Sequence, residues 1–185
     1  MSDWTAETAK WYAENYGEYP TNQMGIEQID FKDNSIVVDI GCGTGSALRH
    51  AAENFSGGAL IGIDPVPEML GYAQQHTQEH PEKARFSFLL GSAEKLPVDD
   101  NSADIVLAFD SYDHWSDKQL GFAEVRRVLR TGGQFIVVKD GEVPEGSDNQ
   151  TLFSQALPEH GFSMVSEQTI SKDDVSFMIW TSILA

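Results

Sequence analysis

Asp39, Gly41, Gly43, Gly45 and Asp64 are the residues of this chain whose types and spacing could do chemistry together. The run Ile36-Val37-Val38-Asp39-Ile40-Gly41-Cys42-Gly43-Thr44-Gly45 passes from apolar, β-branched residues to an acid and then to clustered glycines. Such a run describes a buried strand that turns sharply into a helix. Glycine tolerates positive φ in the turn, and its missing Cβ lets a ligand lie against the backbone. The helix start brings free N–H groups to the same place. A second apolar run, Ala59-Leu60-Ile61-Gly62-Ile63, ends in Asp64. In a doubly wound α/β sheet the carboxyl end of the second strand lies beside the glycine turn, where ligands bind. A carboxylate there can accept both hydroxyls of a ribose.

Spacing bears on which nucleoside this is. A dinucleotide fingerprint needs G-x-G-x-x-G. Here Gly41-x-Gly43-x-Gly45 brings the extra glycine one residue early, and Ser46 takes the third-glycine slot. The segment Val38-Asp39-Ile40-Gly41-Cys42-Gly43-Thr44-Gly45 resembles motif I of the class I S-adenosylmethionine (SAM)-dependent methyltransferases. Leu90-Gly91-Ser92-Ala93-Glu94-Lys95-Leu96-Pro97 resembles the G-D-A-E-x-L-P segment of the small-molecule type found in ubiquinone and menaquinone biosynthesis, with Ser92 in the acidic slot. Pro97 to Val106 and the Leu129-Arg130-Thr131-Gly132-Gly133 turn are similar to two further segments of that family. The resemblance covers residues 34–183.

That resemblance implies a cofactor site. Asp39, Gly41, Cys42, Gly43 and Gly45 would meet the amino-acid arm of SAM, and Asp64 with Pro65 the ribose. Ser92, Ala93 and Glu94 would stand beside the adenine. The Phe109 carbonyl would meet the methionine amine, with Asp39 as its anionic partner. Methyl transfer needs an acceptor aligned with an already activated methyl group, and a general base only where the acceptor must lose a proton. His114, with a pKa ordinarily near neutrality, is the candidate base, and Asp110 or Asp113 could orient it. Phe109, Tyr112 and Trp115 suit an apolar acceptor or the core. His76 and His80 stand four apart, but no third ligand is evident, and no metal is expected.

The elements that must position these residues alternate. Strands are expected over residues 36–40, 59–63, 85–90, 103–109 and 133–139, with helices over 45–55, 66–78 and 117–130. Ser116-Asp117 starts the last helix, and Gly132-Gly133 closes it. A helix over 149–159 and two strands, 162–166 and 175–180, follow. By resemblance this is a Rossmann-like, doubly wound α/β sheet, seven-stranded and mostly parallel with one antiparallel C-terminal strand. The chain reads as a single domain, residues 34–185 forming the core and residues 1–33 a helical N-terminal segment. That segment is rich in aromatics, Trp4, Trp11, Tyr12, Tyr16 and Tyr19 among them. It either packs on the core or covers the cofactor as a lid, with Tyr12 and Tyr16 in contact.

Composition narrows the partners. The 185 residues suffice for one domain with a sizeable core. A net charge of −17 repels phosphate backbones, which argues against nucleic acid. Arg126-Arg127-Val128-Leu129-Arg130 is better explained by a helix C-terminus, where cations complement the dipole. No run approaches a membrane span, and no signal peptide is visible at Met1. With the lone Cys42, a reducing cytoplasm is the expected compartment. The expected function is transfer of a methyl group from SAM to a small-molecule acceptor, by a monomer or a homodimer. Two alternatives stay open: a protein that binds SAM or S-adenosylhomocysteine without transferring the methyl, and an NAD(P)-dependent oxidoreductase. Ser46 and the absence of a substrate domain after the fifth strand weigh against the latter.

Overall fold

The computed structural model describes residues 5–141 and 156–185. Its strands are β1 (Ile36–Ile40), β2 (Ala59–Asp64), β3 (Phe86–Leu90), β4 (Ala103–Phe109), β5 (Leu129–Asp140), β6 (Phe162–Lys172) and β7 (Val175–Leu184). They form one sheet in the order β3-β2-β1-β4-β5-β7-β6. The first five pair in parallel. β7 runs antiparallel to both β5 and β6. The expected seven-stranded sheet with one antiparallel strand is therefore the sheet that forms. The helices are α1 (Ala6–Tyr16), α2 (Pro20–Ile26), α3 (Ser46–Ala52), α4 (Pro67–Thr77) and α5 (Lys118–Val128).

Strands buried on both faces read as continuous apolar runs, and the side chains alternate between two layers. Val38, Ile40, Val106, Ala108, Phe135 and Val137 face the layer that holds Phe122 and Val125 of α5. Val37, Ile105, Leu107 and Ile136 face the other, with Leu48 of α3 and Ile26 of α2. Each such side chain contributes about 1.5–3 kcal/mol when fully buried. The same alternation puts Asp39 and Phe109 on the α2–α3 face, a parity that matters for the site. α1 lies apart from the sheet and packs on α4 through Ala9, Val66 and Met69.

Local chemistry sets the helix starts. The Asp117 carboxylate accepts from the Leu120 N–H at 3.0 Å and caps α5. Thr5 caps α1 through the Thr8 N–H. Pro20 and Pro67 stand in the first turns of α2 and α4, where a missing N–H costs nothing.

Three expectations need correction. The helical N-terminal segment is two helices rather than one, and the second, α2, brings it back onto α3. Gly132-Gly133 does not close α5. That helix stops at Val128, and β5 begins at Leu129, with Gly132 (φ 79°) inside the strand, at its irregular pairing with β4. The last two strands are longer than expected, because each supplies the other's hydrogen bonds through to Lys172 and Leu184. Of the helix expected over 149–159, only residues 156–159 lie among those described, and they are helical. In the basic cluster Arg127 bridges Glu124 and Asp100, and Arg130 bridges Asp104.

Candidate active site

The strand order reverses at β1, whose neighbours β2 and β4 are reached by connections on opposite sides. Such a switch point opens a crevice beyond the carboxyl ends of the strands. Here β1 and β4 last pair at Asp39 and Leu107, while β4 runs on to Phe109. A cavity of about 770 Å³ occupies this position. Its lining includes Asp39, Gly41, Cys42, Gly43, Asp64, Pro65, Ser92, Ala93, Glu94, Phe109, Tyr12, Tyr16, Asp110 and His114, so residues far apart in the chain converge. Of the cofactor candidates, only Gly45 stays outside the lining.

The glycine turn is built from backbone bonds. The N–H groups of Gly41 and Cys42 both donate to the Ile63 carbonyl, at 2.7 and 3.0 Å. Gly41 has φ 74°, and a Cβ there would come within 2.4 Å of the Ser111 Cβ. It is therefore required twice, by the turn and by the loop after β4. Gly45 faces the other way: a Cβ would meet Phe88 and Ala73. Its place is in the packing of α3 and α4 against the sheet rather than in the cavity. The first turn of α3 reaches the cavity through Ser46 and Ala47.

Two carboxyl groups lie at the centre, and their surroundings differ. Asp64 is held by backbone, one oxygen accepting from the Gly43 N–H and the other from the Val66 N–H, each at 2.9 Å. Burial raises its pKa, and those two bonds oppose the rise. Asp39 is 1% exposed, and its Oδ1 has no hydrogen-bond partner. Burial, then the nearby Asp64 charge, push its carboxyl up to about 8. An acid buried without a partner is costly unless a cation or donor completes it. The Cys42 thiol is raised well above its usual range by burial, which removes the thiolate a reactive cysteine would need.

The N-terminal segment is fastened to the turn. The Thr44 hydroxyl donates to the Gly17 carbonyl at 2.7 Å, and the Ser46 hydroxyl to Glu18 at 3.0 Å. Glu18 also pairs with Arg49. Tyr12, Tyr16 and Tyr19 thereby reach the cavity. On the opposite wall, Glu94 accepts from the Ser116 and Asp117 N–H groups at 2.6 and 3.1 Å, fixing the loop that carries Trp115. Burial raises the Glu94 carboxyl, but bonds from the Ser92 hydroxyl and these N–H groups outweigh it and hold it below the usual range.

The orienting partners expected for His114 are engaged elsewhere. Asp110 accepts from the Asp140 N–H at 2.6 Å and lies 3.9 Å from the Lys139 ammonium, which sits 3.0 Å from Asp113. His114 is exposed at the rim of the cavity. Tyr112 and Trp115 belong to the core with Phe122. His76 and His80 do not share a helix face, since α4 ends at Thr77. His76 lies by Glu18, and His80 stacks edge-on to Phe86. Among the described residues no group of three or more His, Cys, Asp or Glu side chains is placed to hold a metal, and no helix is long and apolar enough to cross a membrane. Sequence reasoning missed Thr21, Tyr19, Lys139 and Asp140 as lining residues. Lys139 and Asp140 could have been found as the carboxyl end of a parallel strand.

A parallel sheet extended by one antiparallel strand, with a glycine turn after β1 and an acid after β2, defines a Rossmann-like fold of the methyltransferase class. Residues 38–137 match the sequence profile of the methyltransferase-domain family, and the chain belongs to that family. An uncharacterised methyltransferase of Mycobacterium tuberculosis is 39% identical over 102 residues, 55% of this chain and 38% of its own length. The chain thus spans well under half of that relative. A Haloferax volcanii methyltransferase, solved in complex with its Trm112 activator, superimposes with a TM-score of 0.80 at 20% identity, over 96% of this chain and 93% of its own. A SAM-dependent methyltransferase from Aquifex aeolicus gives 0.74 at 17%, over 98% and 100%. Neither the oxidoreductase alternative nor the binding protein without transfer gains support from these similarities.

Proposed function

We propose that this chain transfers a methyl group from S-adenosylmethionine to a small-molecule acceptor. The observation that carries the reading is the Asp39 carboxyl. It is buried at the switch-point cavity with an oxygen that nothing in the protein satisfies, and it lies on the same face as Phe109. An α-ammonium is the kind of group that would complete it. When bound, SAM supplies a methyl group activated by its sulfonium.

The remaining roles fall to this chain's own residues. Asp64, held by the Gly43 and Val66 N–H groups, presents its remaining lone pairs to a ribose diol. Gly43 lets the ligand lie against the backbone, while Gly41 holds the turn against Ser111. Ser92 and Ala93 line the adenine end, and Glu94 holds the loop above it. Pro65 and Cys42 shape the wall. Tyr12 and Tyr16 close the cavity from the N-terminal side and exclude water. On the acceptor side, the geometry favours Asp110 as the group that faces the ligand. His114 lines the rim without an orienting carboxylate. Residues 1–33 act as the cover and residues 34–185 as the core of one domain.

Calorimetry with S-adenosylhomocysteine and with NAD tests the reading. S-adenosylhomocysteine is expected to bind at one site per chain and NAD not to bind. Binding of NAD alone, or of neither, would overturn it. Product mass spectrometry after incubation with SAM and an acceptor panel then reads the transfer itself.

A further inference from the structure

This inference rests on the methyltransferase reading and extends it to the acceptor. The N-terminal segment brings three tyrosines to one wall of the cavity. The ring centroids of Tyr12 and Tyr16 are 5.3 Å apart, and those of Tyr16 and Tyr19 are 5.9 Å apart. Asp110 and Asp140 line the same cavity from the ends of β4 and β5, and the Asp140 charge, above all, raises the Tyr19 phenol. Asp110 has φ 48°, a left-handed conformation that residues other than glycine rarely adopt. That turn places its carboxylate against the Asp140 N–H, beside the cavity.

The charges do not cancel. Asp39 aside, Asp64, Glu94, Asp110 and Asp140 line the cavity against Lys139 and the rim residue His114. Lys139 is held by Asp113 at 3.0 Å and lies 3.9 Å from Asp110, so one ammonium is shared by two carboxylates and leaves the cavity acidic. Asp39 and Asp64 belong to the cofactor and Glu94 to the loop above it. Asp110 and Asp140 are left beside the aromatic faces with no role in the cofactor site. An independent sign comes from α2. Thr21 lines the same cavity, is 1% exposed, and its hydroxyl has no hydrogen-bond partner. Carboxylates beside tyrosine faces attract a cation, and a hydroxyl can accept from an N–H donor. The same wall repels an anionic acceptor, and a neutral one gains from its carboxylates only the hydrogen bonds it can donate.

We propose that the acceptor is a small amine or ammonium compound, its cationic nitrogen held between the faces of Tyr12, Tyr16 and Tyr19 and the carboxylates of Asp110 and Asp140. A nitrogen that itself takes the methyl first gives its proton to one of these carboxylates, and its lone pair then displaces the sulfide of S-adenosylhomocysteine. The test uses the whole chain saturated with S-adenosylhomocysteine. Choline and its neutral carbon isostere, 3,3-dimethylbutan-1-ol, are titrated separately at matched ionic strength. Choline is expected to bind about tenfold tighter or more, as an aromatic and anionic cation site requires. Asp140→Asn should remove most of that preference while S-adenosylhomocysteine affinity stays within about twofold. Tyr16→Leu, at a half-exposed position that folding tolerates, should lower choline affinity several-fold and serves as the second variant. Equal affinity for the two probes, no choline binding, or a preference unmoved by both variants overturns the proposal. Loss of S-adenosylhomocysteine binding by the unmodified protein would instead overturn the cofactor reading, so the two failures are distinguishable.

Discussion

Asp39→Asn is the most informative perturbation, because it replaces a buried acid by a neutral residue of equal size. With its pKa pushed up to about 8, Asp39 is about nine-tenths protonated at pH 7. Pairing with an ammonium requires the carboxylate. Binding of S-adenosylhomocysteine at pH 7 should therefore release about 0.9 proton from this group. Deprotonation costs about 1.4 kcal/mol per pH unit below the pKa. Wild-type affinity should thus rise close to tenfold from pH 6 to pH 7, a range in which the ligand amine stays charged. In Asp39→Asn the rise and the proton release both disappear. A hydrogen bond to a charged group contributes about 1.5–3 kcal/mol. Set against the ionisation cost, the variant should bind up to about tenfold more weakly at pH 7. Calorimetry in two buffers of different ionisation enthalpy reads the proton count directly, and the difference between wild type and variant cancels the ligand's own protons. Equal proton release in both proteins would refute the assignment of Asp39 as the ammonium partner.

The same residue predicts a stability profile. Its native pKa is raised, so between about pH 4 and pH 8 the native state holds the proton that the unfolded state has lost, and stability falls as pH rises through that window. Relative to wild type without ligand, Asp39→Asn should gain up to about 1.4 kcal/mol per pH unit there, read by urea unfolding at a series of pH values; a flat difference would contradict it. Gly41→Ala should destabilise by roughly 2 kcal/mol or more, since left-handed backbone and the 2.4 Å approach to Ser111 both oppose a Cβ; a change under about 0.5 kcal/mol in chemical denaturation would mean the loop after β4 yields freely. Glu18→Gln removes the clasp to Arg49, and because Glu18 is more than half exposed global stability should shift by under about 1 kcal/mol. Hydrogen exchange in α1 should nevertheless accelerate and S-adenosylhomocysteine affinity fall several-fold, and unchanged exchange would show that Thr44 and the α1–α4 packing hold the cover alone. His114→Gln should lower kcat less than tenfold on the true acceptor, against about 10²–10⁴ for loss of a general base; a larger fall, with the neutral limb of the pH–rate profile gone, would restore His114 as the base.

Much of the end proposed for the cofactor was legible because it is local. A turn that needs positive φ selects glycine at Gly41 and Gly43 whatever else the chain does. An acid after an apolar strand marks Asp64 in the same way. The end proposed for the acceptor was not legible, since it is assembled from α2, β4 and β5. Thr21 lies in a helix too short and too weakly patterned to announce itself. Lys139 draws Asp113, and with it Asp110, away from His114 only once β4 and β5 lie side by side. Gly45 shows the limit of motif reading: it belongs to the glycine cluster, yet its φ of 76° and the close approach of Phe88 and Ala73, not the cavity, explain it.

Alternating apolar runs and helical patterns are enough to specify a doubly wound sheet, because each strand buried on both faces must be covered by helices from both sides. The glycine spacing and the two acids are likewise readable residue by residue, since local backbone geometry dictates them. Only the tertiary structure decided that Asp39 is an unpaired acid titrating near 8, because burial and the neighbouring Asp64 charge depend on what packs around it. It alone decided which tyrosines reach the cavity and which carboxylates stand opposite, since those distances follow from how the N-terminal helices dock on α3 and α4.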